Sequence, residues 1–222
     1  MQIIKIYSFH ESYINKIFQT KGSVIVKDSV IAFRRFLNSL NDEDYLFNLI
    51  AYTIAPTIKG LKTATTVTLC NNDRNLYENW KIYKDVIVNS LRLKAFELKE
   101  TEKAIIILFY NEKALKSKLL NESAIEFLSN FGYSKCNTLE DNLNVLKERF
   151  SNSLFPHELG VFLGFPLLDV KAFIESSRNE YLTCGYWKVY HDKDSALKTF
   201  KSYDEAKHEI ASLLSKKRLI SY

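Results

Sequence analysis

The sequence predicts an α/β protein of the α+β kind: a small central sheet of about three strands surrounded by helices. Three observations predict it. AIIILFY, residues 104–110, is a continuous apolar run bounded by charges, the pattern of a strand buried on both faces, and it belongs at the centre of the sheet. TTVTLC, residues 65–70, is short, β-branched and alternating, which reads as a second strand. Most of the remaining chain repeats apolar residues at three- and four-residue spacing, the mark of amphipathic helices packed on a sheet.

Taken in order, Ser12 to Thr20 reads as a short helix with Tyr13, Ile17 and Phe18 on one face. From Ser29 the spacing of Val30, Phe33, Phe36 and Leu37 predicts a longer one. Asn41-Asp42-Glu43-Asp44 starts another, with acids at its positive end. Pro56 must kink or end that helix, because it cannot donate to the helix ladder. Gly60 caps the turn before strand 65–70. Leu76 to Leu98 reads as one long helix carrying Tyr77, Trp80, Tyr83, Ile87, Leu91 and Leu98. After the central strand come helices over roughly 112–120, 122–131 (ending near Gly132) and 138–150. Asp192 or Asp194 caps a closing pair of helices, followed by the basic tail Lys216-Lys217-Arg218. The chain is read as one domain, 1–222, with a sub-module at 152–222 beyond a seam near Ser151-Asn152-Ser153.

Composition bounds the function. Apolar residues at 46% and charged residues at 26% are ordinary globular usage, so disorder is not the default. A formal charge of +5 is mildly basic. Between Lys81 and Lys118, nine Lys/Arg are interspersed with five Asp/Glu, the look of a solvated helix face and not of a dedicated nucleic-acid binder. Cys70, Cys136 and Cys184 are widely spaced and include no CxxC, which argues for a reducing compartment and against a four-thiolate zinc site. The N-terminus lacks the shape of a signal peptide, and no run approaches a transmembrane span. The expected setting is cytoplasmic, with no membrane partner.

The most densely specified stretch is 154–190. Pro156 suits the start of a helix, Gly164 a left-handed cap and Pro166 the start of a second helix, giving an αα-hairpin with helix-turn-helix spacing. A DNA reader needs polar side chains at the start of its second helix, where this chain has Pro166, Leu167, Leu168 and Asp169. Nucleic-acid binding is therefore the weakest of three functional readings. His157 and Glu158 are neighbours and diverge by about 100° around a helix. Glu158 suits the positive helix end, while His157 with Cys184 offers an imidazole and a soft thiolate that would suit zinc, copper or iron. CGYWKVY, 184–190, reads as a strand with Tyr186, Lys188 and Tyr190 on one face and Trp187 and Val189 on the other.

A second cluster is Lys59, Gly60, Lys62 and Thr63, where cations and hydroxyls between a helix end and a strand could hold an anion. Motifs for zinc proteases, serine hydrolases, P-loops and EF-hands are absent. The leading expectation is thus an accessory or binding protein with a pocket for a small anionic ligand, a cofactor or a protein partner, using Lys59, Lys62, Thr63, Lys188 and Tyr186. The alternative is a thiol- or metal-dependent enzyme with Cys184 as nucleophile, His157 as base and Glu158 beside it. No particular cofactor is specified.

Ala55-Pro56-Thr57, Gly60, Lys62 and Ala64, then FPHELGVFLGFPLLDV (155–170) and CGYWKVY, resemble a domain-of-unknown-function family, numbered thirty-seven ninety-three, of anaerobic clostridia-type bacteria. The resemblance spans about residues 30–212. It implies one domain-length unit in a cytoplasmic bacterial protein and supplies no activity or catalytic residues. The anaerobic setting it implies would suit an oxygen-sensitive metal or redox role.

Overall fold

The computed structural model describes residues 24–71, 74–152, 155–175 and 180–217. The helix expected at Ser12–Thr20 and Ser153 of the seam lie outside them. In chain order the elements are α1 Val24–Asn38, α2 Asp42–Thr53, α3 Ala55–Ile58, β1 Ala64–Cys70, α4 Leu76–Leu91, β2 Lys94–Glu100, β3 Ala104–Tyr110, α5 Glu112–Leu119, α6 Glu122–Leu128, α7 Leu139–Asn152, α8 Leu159–Phe162, α9 Leu167–Glu175, β4 Thr183–Cys184, β5 Lys188–Val189 and α10 Lys193–Lys217. The result is α+β: a three-stranded antiparallel sheet in the order β1-β3-β2, with helices on both faces.

β3 is the central strand, as its composition demands, and all seven of its residues are buried. Its alternation divides the core. Ile105, Ile107 and Phe109 face Leu46, Ile50, Ile54, Val67, Leu69 and Trp80 from α2, β1 and α4. Ile106, Leu108 and Tyr110 face Leu115, Leu143, Leu146, Phe150 and Phe162 on the other side. Two apolar faces on one strand require helices over both, which gives three layers.

Three expectations are corrected. The long helix 76–98 stops at Leu91, because Arg92 adopts a left-handed conformation with φ 53°, and residues 94–100 form β2. Leu91 and Leu98 lie seven apart, two helical turns, so their spacing mimics a continuing helix where the chain has reversed. CGYWKVY is not one strand but part of a two-strand hairpin turning at Gly185–Trp187, where the amide of Gly185 donates to the carbonyl of Trp187 at 3.1 Å. A Cβ on Gly185 would come within 2.3 Å of the Phe200 ring, so the glycine lets the turn lie directly on α10. That turn separates Tyr186, which packs on Phe200 and Tyr203, from Lys188, whose ammonium lies over Phe173 and Tyr181. The closing pair of helices is a single helix, α10. Nothing between Tyr203 and Ala206 breaks it, and Asp192 caps it by accepting from the Ser195 amide at 3.1 Å.

The αα-hairpin forms as expected. Gly164 is left-handed at φ 80°, and Gly160 has no room for a Cβ, which would meet the Val170 methyl at 2.8 Å. This hairpin, the β4–β5 hairpin and α10 close over the loop before β1. No helix among the described residues is long and apolar enough to cross a membrane.

Candidate functional site

The loop 59–63 leaves α3 behind Pro56, turns at Gly60 (φ 71°) and enters β1. Pro56 sits in the first turn of α3, and its carbonyl accepts from the amides of Leu61 and Lys62. This short circuit turns the Lys62 side chain inward while leaving Lys59 outside. Lys59 pairs with Glu209 of α10 at 2.5 Å, and Thr63 donates its hydroxyl to the Phe162 carbonyl at 2.7 Å. Both residues thus tie the loop to its neighbours.

Lys62 is different. It is only 8% exposed, its ammonium lies 5.3 Å from the Phe165 ring centroid, and it has neither a hydrogen bond nor an ion pair among the described residues. Phe165 stacks on Trp187, Trp187 meets Phe200 edge-on, and Phe200 touches Tyr186. At the far end of this aromatic chain sits Lys207 of α10, 7% exposed, its ammonium 4.8 Å from the Tyr186 ring and 5.8 Å from Tyr52. Lys207 likewise has no hydrogen bond or ion pair there. No fully enclosed side-chain nitrogen or oxygen among the described residues lacks a partner, so both ammonium tips must reach solvent. Each lysine has a buried stem and a head that reaches the surface.

Burial dominates the electrostatics. It pushes Lys207 down to about 8, against a smaller upward pull from Asp204. It pushes Lys62 down to about 7, with the charge of Lys207 adding to the effect. The order is physically coherent: Lys207 takes its proton first as pH falls, and Lys62 must then charge in its field. The neighbouring phenols stay neutral, since burial raises Tyr52 and Tyr203 to about 12. Cation–π contacts offset part of the desolvation, and Asp204 offsets a little more at Lys207 alone. The chemistry available is attraction of an anion by buried cations that lack an ion-pair partner.

The expected site residues therefore divide. Lys62 and Tyr186 lie along one aromatic chain, joined through Phe165, Trp187 and Phe200, with Lys59 and Thr63 in the supporting loop. Lys188 points the other way, toward Phe173. The ring of Phe173 meets His157 edge-on at 5.1 Å, and Cys184 is opposite Lys188 in the β4–β5 pair. His157 and Cys184 are both exposed, and no hydrogen bond joins them. Among the described residues no group of three or more His, Cys, Asp or Glu is placed to hold a metal. Glu158 is fully buried and taken up by Arg149, which donates through Nε to Oε1 and through a terminal nitrogen to Oε2 at 3.3 Å, while Tyr133 donates its hydroxyl at 3.3 Å.

Two residues that sequence reasoning missed build this region. Lys207 is one. A signal existed, since Lys207 falls four residues after Tyr203 and seven after Phe200, on the face of α10 that is buried. Asp169 is the other: 2% exposed, it accepts from the Trp187 indole at 2.8 Å, from the amides of Tyr190 and His191 at 2.9 Å each, and lies 3.1 Å from His191 Nδ1. An acid within LLDVKAFI was the cue. Asp169 clamps the β4–β5 hairpin onto α9 and so fixes Trp187, the middle ring of the aromatic chain.

Fold and site together define an α+β protein with a buried lysine pair beneath a clamped aromatic hairpin. Residues 50–221 match the model of a family described as a protein of unknown function (DUF3793), and the chain belongs to that family. No curated protein and no solved structure matches it.

Proposed function

We propose that this is a cytoplasmic binding protein, working as one domain-length unit, which takes up a small anionic ligand through the buried Lys62 and Lys207. One observation carries the reading: two lysines, each more than nine-tenths buried, have no hydrogen bond and no ion pair among the described residues. Unpaired buried ammonium groups cost several kcal/mol, and a bound anion restores the missing partner. Lys59 and Thr63 support the loop, Tyr186 lies against the Lys207 ammonium, and Asp169 holds the β4–β5 hairpin in place.

Sulfate is the cleanest first probe, because its charge does not change across the relevant pH range. Calorimetric titration against sulfate, with chloride at matched ionic strength as the reference, should show saturable binding at pH 6–7. Binding requires protonated lysines, so affinity should fall as pH rises through 7 and 8, by about tenfold or more per unit above pH 8. Lys62→Gln and Lys207→Gln should each abolish it. A wild-type protein indifferent to sulfate and to small carboxylates throughout pH 6–9 would exclude the reading.

A further inference from the structure

We propose a second anion site, independent of Lys62 and Lys207: an open cleft at one end of the three-stranded sheet that takes a small molecule carrying a chain of two or three phosphates. The segment from Lys81 to Lys118 spreads nine Lys and Arg along the chain. The fold gathers four of them, Arg92, Lys94, Lys113 and Lys116, around one cavity of about 640 Å³.

Topology brings them together. α4 ends at Leu91, the chain reverses at Arg92, and Lys94 opens β2. Lys94 lies opposite Tyr110, the last residue of β3, and the chain passes from there directly into α5. Lys113 and Lys116 then stand about one turn apart on one side of that helix. All four cations are exposed, and none has an ion pair or a side-chain hydrogen bond among the described residues. Glu112 is the single carboxylate among the described lining residues. It cannot offset four cations.

The size and lining select the ligand. The cavity falls in the range of about 300–1,000 Å³ usual for small-molecule sites. A lone sulfate would meet only part of it, whereas an extended anion with several charges can meet cations from both chain segments. Arginine and lysine are the side chains that pair with phosphate oxygens. The first turn of α5 adds donors: Asn111 accepts from the Ala114 amide at 2.9 Å, and the amides of Glu112 and Lys113 have no partner among the described residues. Val88 and Leu93, both half-buried, give the cleft an apolar wall for an uncharged remainder of the ligand.

Arg92 sets this cleft apart from an ordinary basic surface. Its φ of 53° is a left-handed conformation that glycine enters freely and arginine does not. Glycine is also the usual residue where a helix ends in this way. The chain thus keeps a charged side chain in a strained position, at the edge of a cavity, with no protein partner for the charge.

The test is calorimetric titration of the full chain at low salt and near-neutral pH with inorganic triphosphate, ATP, AMP and sulfate. Triphosphate should bind saturably, at least about tenfold more tightly than AMP or sulfate, and the binding should weaken as salt is raised. ATP tighter than triphosphate identifies the ligand as a nucleotide resting on Val88 and Leu93, and equal affinities identify a free oligophosphate. Arg92→Gly and Lys113→Gln should each weaken triphosphate by about tenfold, while Lys62→Gln leaves it unchanged. Glycine suits the left-handed position, so Arg92→Gly should fold at least as well as wild type, and its lost affinity reports the site and not the fold. No saturable triphosphate binding, or binding that survives Arg92→Gly and Lys113→Gln combined, overturns the site. Binding lost in Lys62→Gln instead puts the phosphates at the buried lysines and also overturns it. A single-stranded oligonucleotide that binds more tightly than ATP, and loses affinity in the same two variants, overturns the small-molecule assignment in favour of nucleic acid.

Discussion

A Lys62→Met variant keeps a long unbranched side chain in the same apolar slot and deletes the buried amine. Lys62 is held at about 7 in the folded protein, against about 10.4 in an unfolded chain. Between those values the unfolded chain binds more protons, so stability rises with pH across the window. The penalty is complete below pH 7 and gone above the unfolded value. Worked through, the buried amine costs folding about 4 kcal/mol at pH 7 and about 2 kcal/mol at pH 9. Methionine pays neither, so the variant should be more stable than wild type, by up to about 4 kcal/mol at pH 7 and by half that at pH 9. Urea denaturation at the two pH values, in sulfate-free buffer, measures it. The reasoning is refuted if the variant is no more stable at pH 7, or if its advantage does not shrink by pH 9. A residue that costs this much to keep is the expected signature of a functional site.

Other outcomes follow from the same geometry. Asp169→Asn should lose about 1–3 kcal/mol, because an amide cannot accept from the Trp187 indole and two backbone amides at once, and Trp187 fluorescence should report the loosened hairpin. Glu158→Ala strands Arg149 and the Tyr133 hydroxyl and should cost about 1–3 kcal/mol by denaturant titration, whereas the exposed His157→Ala should cost under about 0.5 kcal/mol. Gly160→Ala drives a methyl into Val170 and should cost about 1–3 kcal/mol, read as a lowered Tm.

How much of this could be read from the residues alone depends on whether local pattern and tertiary contact agree. β3 was legible because seven consecutive apolar residues leave no face for water. The hairpin turning at Gly164 was legible because tight turns demand particular residues. β2 was hidden by Leu91 and Leu98, whose helical spacing spans a left-handed Arg92 that only the tertiary fold requires. The anion cluster was half visible: Lys62 and Thr63 stand next to a turn glycine, and Tyr186 stands in a motif. Lys207 stands in a charged helix, and only its spacing from Phe200 and Tyr203 marks it as lying on the buried face. Asp169 was set aside as a poor DNA-reading residue, because its role lies in contacts with residues 18 to 22 positions away. His157 and Cys184 drew notice as rare residue types, while the positions most firmly held by the fold are Asp169 and Glu158.

The central claim is that two buried lysines are held well below the ordinary lysine range until an anion arrives. Side-chain NMR titration of isotopically labelled lysine measures this directly, with Lys62→Arg and Lys207→Arg spectra assigning the signals. Without sulfate, two lysines should titrate near pH 7 and 8. With saturating sulfate both should move upward by at least about one unit. If every lysine titrates near about 10.4 with and without the anion, the lysine-pair account is wrong.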